Sequence, residues 1–353
     1  MVFLKWVGIV IASIVALFIL ELLFVALYPD VRVAPQPLER IKRPQGDTGT
    51  KTTLSNKAVS FPVNGTSVSA WLFLPAGISS RVPCIVMAHG MGGTMSMGLE
   101  GYAARFQAAG LAVLAFDFRY LGASGGEPRQ LIWIPYQLED YAAAVEYARS
   151  LKEIDPERIA LWGTSLSGGH VISIAADDNR IACVSAQVPL LDGTEAAEEN
   201  FKQTGFWQGL RIVGHAQRDL VRSWLGLSPH KIPLFGKPGT VALMADEGAW
   251  EAFNELAPDD YVNEACARIG IRMDKYRPIT SIDKVRCPVL IQVCDKDITV
   301  PKSVLGKASD SLGPLAEIIH YPGGHFDIYI GNTMEKAAND QVNFFHTHLL
   351  SNH

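Results

Sequence analysis

Leu161-Trp162-Gly163-Thr164-Ser165-Leu166-Ser167-Gly168-Gly169-His170 is the stretch whose reading decides the fold. The apolar run at 158–162 has the character of a buried strand and 166–176 that of a helix, so the chain passes from one to the other almost at once. A serine in so abrupt a turn points its hydroxyl into open space above a sheet edge. The neighbouring turns crowd its backbone, so small residues must sit two before and two after it. Gly163 and Ser167 hold those places around Ser165. Ser167, flanked by Ser165 and Gly169 at the same offsets, is the rival. Ser165 is favoured, because Gly163 stands where the strand breaks and positive φ is most needed. A Gly/Ser-rich connection without chemistry is the bland alternative, and the rest of the chain has to decide.

Upstream, residues 136–151 predict an amphipathic helix with Leu138, Tyr141, Ala142, Val145 and Ala148 on its apolar side. Residues 82–88 and 111–116 are continuous apolar runs separated by a helical stretch at 99–109, as strands buried on both faces of a parallel sheet require. Residues 58–63 and 67–74 form a hairpin, since Asn64-Gly65 supplies the two positive-φ residues of a tight turn. Downstream, strands are expected at 181–188, 287–294 and 316–321, with helices near 303–312 and 333–350. Such βα alternation predicts a doubly wound, mostly parallel α/β sheet.

The alternation stops between about Asp192 and Ser281, too long a gap for a simple connection. Residues 192–281 are therefore expected to be a helical cap insertion over the site, dividing a core of 58–191 and 282–353. More than half of the six aromatics Phe201, Phe206, Trp207, Trp224, Trp250 and Phe253 are expected to form the insertion's own core.

Residues 6–28 are nearly all apolar, broken by Gly8, Ser13 and Glu21. As a helix they would reach about 34 Å, enough to cross a bilayer core. Trp6 and Tyr28 stand where interfacial aromatics belong, and Pro29 stops the helix. Glu21 costs something in this reading. A cleaved signal peptide would have a shorter apolar region and a small-x-small site after Leu27. The expectation is a single-pass membrane anchor at 1–28 and a Pro/Gly/Thr/Lys-rich linker at 29–57. Arg32, Arg40, Lys42 and Arg43 after the span outnumber Lys5 before it, which leans the rest of the chain toward the cytoplasm. The short N-terminal tail bearing Lys5 argues the other way.

The net charge of −5 offers no basic field for nucleic acid. Five cysteines, odd in number and without CxxC spacing, indicate neither a disulfide framework nor a zinc site. The loop His89-Gly90-Met91-Gly92-Gly93-Thr94 lacks the GK[ST] ending of a phosphate loop, and no dinucleotide fingerprint accompanies it. Neither metal nor cofactor is expected.

A serine nucleophile needs a base, an orienter for that base, and donors for a tetrahedral oxyanion. His325 lies in the Gly-rich loop Tyr321-Pro322-Gly323-Gly324-His325, at the C-terminal end of the last strand, where α/β sites form. His170, on the helix after Ser165, reads as a packed residue. Asp297 is the favoured acid, with Asp295 and Asp192 as alternatives. The His89–Thr94 loop resembles the HGGG type, so the Met91 and Leu166 amides are the candidate oxyanion donors.

Ser165, Asp297 and His325 fall in α/β-hydrolase order. With the loop at His89, the run Asp117-Phe118-Arg119-Tyr120-Leu121-Gly122-Ala123-Ser124-Gly125-Gly126, the Ser165 turn, Asp297 through Pro301, and Gly323-Gly324-His325-Phe326, the chain from about Val59 onward resembles α/β-hydrolases of the dienelactone-hydrolase-like and S15-peptidase-like branch. That resemblance implies the α/β-hydrolase fold and a serine hydrolase cleaving an ester, thioester or amide through an acyl-enzyme. Its substrate would be a small acyl compound, lipid-like if the anchor matters. Acyl transfer by the same intermediate and a catalytically silent, membrane-tethered binding protein are the rival functions. Family members commonly carry Arg-Gly where this chain has Arg119-Tyr120, and a membrane span is not part of the family pattern.

Overall fold

The computed structural model describes residues 2–27, 33, 34, 36, 56–246 and 248–351. The expected linker lies almost wholly outside these, as do Tyr28 and Pro29. Helix α1 (Val2–Leu27) precedes a hairpin of β1 (Asn56–Val63) and β2 (Thr66–Phe73). Its turn puts Asn64 at φ 47° and Gly65 at φ 80°, the pair of left-handed conformations that the Asn-Gly dipeptide predicts. Alternation follows: β3 (Val82–Ala88), α2 (Leu99–Ala108), β4 (Ala112–Phe116), α3 (Ile134–Ser150), β5 (Ile154–Thr164), α4 (Leu166–Asp177) and β6 (Ile181–Gln187).

Next come α5 (Gly193–Thr204), α6 (Phe206–Trp224), β7 (Lys231–Ile232), α7 (Ala249–Leu256) and β8 (Ala265–Cys266), then four short 3-10 turns. The main pattern resumes with β9 (Val289–Cys294), α8 (Val304–Leu312), β10 (Ala316–Tyr321) and α9 (Gly331–Phe345).

Eight strands form one sheet in the order β1-β2-β4-β3-β5-β6-β9-β10, in which β2 pairs antiparallel with both neighbours and every other pairing is parallel. Alternate residues of one strand serve opposite faces. Val86 and Leu161 pack with Tyr141, Val145 and Val171 of α3 and α4. Ile85, Met87 and Trp162 pack with Tyr102 and Phe106 of α2 and Phe345 of α9. Both faces are thus sealed, which is why the central strands read as unbroken apolar runs.

Two expectations need correction. The buried face of α3 carries Gln137 and Asp140, while Ala142 is exposed. These polar groups are buried because each has a partner: Gln137 meets His170, and Asp140 takes the Arg119 guanidinium. Of Phe201, Phe206, Trp207, Trp224, Trp250 and Phe253, the six aromatics named above, only Trp250 and Phe253 are buried, and the other four stand exposed. The segment is also less uniformly helical than its composition suggests, since β7 and β8 pair within it.

Helix α1 is long and apolar enough to cross a membrane, as a signal sequence also would be. Its side chains from Lys5 to Glu21 are exposed. It meets the remainder at α6, where Gln217 Nε2 donates to Glu21 Oε1 at 3.2 Å.

Candidate active site

Ser165 lies between β5 and α4 at φ 54° and ψ −118°, a left-handed conformation costly for a residue with a Cβ. Its backbone is clamped on both sides: Ser165 N–H donates to Gln187 O at 2.9 Å, and Leu190 N–H to Ser165 O at 2.9 Å. The positive φ expected at Gly163 falls on Ser165 instead, and Gly163 is required because a Cβ there would stand 2.2 Å from Ser167 O. Ser167 is fully buried, its hydroxyl accepting from Thr164 N at 2.8 Å and donating to Ala88 O at 2.7 Å. It therefore braces the turn and presents no hydroxyl to the cavity. Gly168 and Gly169 admit the backbone of Pro189 and Leu190, which a Cβ on either would strike.

The loop after β10 brings His325 onto Ser165, with Nε2 3.1 Å from Oγ. Its Nδ1 lies 2.7 Å from Asp297 Oδ2. The other oxygen of Asp297 accepts from Thr299 N at 2.8 Å and Val300 N at 3.0 Å, so the carboxylate is oriented before it meets the ring. Burial by itself would lower the His325 pKa. The Asp297 charge and hydrogen bond, with Asp246 beyond, outweigh it and hold the ring above its ordinary value. Asp295 instead faces solvent and pairs with His320. Asp192 caps the N-terminus of α5 and takes Arg277 in a forked pair, away from His325. His170 is enclosed between Tyr276 and Gln137, and burial pushes its pKa down to about 3.

The loop after β3 packs directly on Ser165, and a Cβ at Gly90 would stand 2.9 Å from Ser165 Cβ. His89 shapes this loop. Its Nδ1 accepts from Gly90 N at 2.8 Å, which leaves Nε2 to donate to Met97 O at 3.0 Å. Burial, partly opposed by the Met97 carbonyl, lowers its pKa to about 4, so the ring stays neutral. Asp117 ties the loop to the next one, accepting from Met95 N at 2.7 Å and Ala123 N at 2.8 Å. Tyr120 adopts φ 73°, so this position keeps a left-handed backbone despite its side chain, in the place where the family resemblance implies Gly.

Two cavities meet at Ser165 and Met91. The larger, about 270 Å³, runs under α5 and α6 and is also lined by Leu166, Ile212, Leu243 and Met273. The smaller, about 30 Å³, is walled by Phe235, Phe253, Phe326 and Tyr329 on the His325 side. Leu166 is the first residue of α4, where backbone N–H groups point out of the helix without intrahelical partners. No group of side chains suited to a metal ion occurs among the described residues.

A buried polar web behind the site escaped the sequence reading. Thr164 Oγ1 bonds Tyr329 OH at 2.6 Å and accepts from Gln187 Nε2 at 3.2 Å; Gln341 bridges Gln187 and Gln292, and Gln292 Nε2 donates to Tyr321 OH at 2.7 Å. The signal was present: Gln187 and Gln292 are lone amides inside apolar strands, and a buried amide demands partners.

The profile of the Alpha/beta hydrolase family matches residues 85–331. The chain is 42% identical over 289 residues to the quorum-quenching protein AidA of Acinetobacter baumannii, covering 81% of this chain and 93% of that one. It is 36% identical over 315 residues to the polyketide transferase grgF of a Penicillium species, covering 85% and 99%. The crystal structure of the alpha/beta hydrolase GrgF from Penicillium superposes with a TM-score of 0.71 at 24% identity, covering 84% of this chain and all of that one.

Proposed function

Because the chain belongs to the Alpha/beta hydrolase family and is an enzyme of that type, we propose that it cleaves a small acyl compound, an ester or thioester, through an acyl-enzyme on Ser165. The observation that carries this is His325, which touches Ser165 Oγ with one ring nitrogen and Asp297 with the other. In this mechanism Oγ attacks the acyl carbon while its proton passes to His325 Nε2. The oxyanion accepts from the Met91 and Leu166 amides, each worth about 3–4 kcal/mol of barrier. Collapse expels the alkoxide or thiolate, which takes the proton from Nε2. Water, deprotonated by the same nitrogen, then attacks the acyl carbon, and as the bond to Oγ breaks and the acid leaves, Nε2 returns the proton to Oγ. Asp297 keeps the ring proton on Nδ1, so Nε2 faces Oγ as an acceptor.

Transfer of the acyl group to an alcohol or amine is the second reading. It is favoured by the similarity to a protein named polyketide transferase and by a roofed, largely apolar cavity that limits water at Ser165. Product analysis with a competing nucleophile separates the two. We read 192–281 as the cap and α1 as an anchor, oriented by the basic residues after it toward the cytoplasm. The finer placement beside dienelactone-hydrolase-like and S15-peptidase-like enzymes rests on the motifs alone.

The test is labelling with a fluorophosphonate. Wild type and Ser167→Ala are expected to be labelled and Ser165→Ala not. Failure of the folded wild type to label would remove the nucleophile assignment.

A further inference from the structure

Outside α1, eleven large apolar side chains stay exposed among the described residues, and eight of them fall between positions 201 and 227. This is not scatter. Phe206, Leu210, Val213, Gln217 and Trp224 recur at helical spacing along one side of α6, with Trp207, 73% exposed, beside them. Exposed Arg211 and Lys202, the latter paired with Glu199 at 3.7 Å, stand nearby. Large apolar and aromatic residues on one side of a helix with basic residues adjoining make the composition of a helix lying in a bilayer interface.

What identifies the occupant is α1. Glu21 of α1 accepts from Gln217, in the middle of that same stripe, and from Leu20 back to Lys5 its side chains are exposed. A bilayer crossed by α1 therefore passes immediately beside α6. The adjoining side of α6 belongs to the cavity at Ser165, through Gln208, Gly209 and Ile212. Phe201, Val213 and Ile298 line that cavity and are also 47%, 43% and 41% exposed, so the cavity mouth lies at the margin of the apolar face.

We propose that the α5–α6 face rests in the headgroup layer of a lipid bilayer beside α1, and that the mouth at Phe201, Val213 and Ile298 passes an acyl chain dissolved in the lipid straight to Ser165. This rests on α1 as an anchor and Ser165 as the nucleophile, and deepens that reading by naming the phase from which substrate comes.

The experiment uses the full chain reconstituted in phosphatidylcholine vesicles with acyl chains brominated just below the headgroup. Comparison with Trp6→Phe isolates quenching of Trp6 in α1, and comparison with Trp207→Phe isolates that of Trp207. Both are expected to be quenched. Quenching of Trp6 alone overturns the docking while the anchor stands, and is what a second copy or a protein partner covering the face would give. Absence of both overturns the anchor and the docking together.

For the route, a Trp207→Ser/Leu210→Ser variant is expected to hydrolyse a soluble short-chain ester as wild type does. It should lose about tenfold on a long-chain ester dissolved in the vesicles, as weakened interfacial binding dictates. Equal rates on both substrates overturn the route. Failure of wild type to turn over either ester overturns the nucleophile and the route, while the quenching still decides the docking.

Discussion

Replacing Asp297 by Asn isolates the geometry on which the proposed chemistry depends. The carboxylate uses one oxygen for Thr299 N and Val300 N, and the other for His325 Nδ1. Asn can keep its carbonyl oxygen on the two backbone donors, so the loop and the fold survive. Its amide then faces Nδ1 as a donor, and the ring proton is driven to Nε2. That nitrogen, 3.1 Å from Ser165 Oγ, then donates to the hydroxyl where it should accept. Loss of the correct tautomer is worth about 10⁴ in kcat/KM, or about 5.4 kcal/mol of barrier.

The pH profile moves as well. Neutral His325 is the active form, and in wild type its pKa is raised above 6.5, so kcat/KM falls as pH drops through a midpoint above that value. Without the Asp297 charge and hydrogen bond, burial dominates and the acidic limb shifts to lower pH. The assay is hydrolysis of a chromogenic ester followed from acid to neutral pH, with thermal unfolding as the control for fold. Asp295→Asn, at a carboxylate 58% exposed and facing His320, should leave both rate and profile unchanged. An Asp297→Asn enzyme within about tenfold of wild type, or a collapse on Asp295→Asn instead, refutes the assignment.

Other outcomes follow from the same contacts. Ser167→Ala orphans Thr164 N–H and removes a donor from Ala88 C=O, a loss of about 1–3 kcal/mol, and should lower the urea midpoint clearly while fluorophosphonate labelling persists. Gly163→Ala drives a Cβ to 2.2 Å from a backbone oxygen, so the turn must open and labelling should vanish even in protein that circular dichroism shows to be folded. Arg119→Met strands the buried Asp140 carboxylate at a cost of about 3–5 kcal/mol, and Arg119→Met/Asp140→Leu should recover much of the lost melting temperature in calorimetry.

Much of the fold was legible because its signals are local. Continuous apolar runs marked β3, β4, β6 and β9; Asn64-Gly65 marked the hairpin; and the Gly163–Gly169 run marked the strand-to-helix turn. Each depends on steric or burial constraints acting over a few residues. The polar side of α3 and the exposed aromatics of α5 and α6 were not legible, since residue type alone does not say what stands opposite.

The sequence by itself determined a sealed parallel sheet, a serine at a kinked junction and a loop histidine downstream. Only the tertiary structure decided which hydroxyl and which carboxylate that histidine meets. Ser165 and Ser167 are two residues apart, as are Asp295 and Asp297, yet in each pair one turns toward His325 and the other away. That choice depends on backbone direction at the ends of β5 and β9, and those strands come into register only when residues far apart in the chain assemble the sheet.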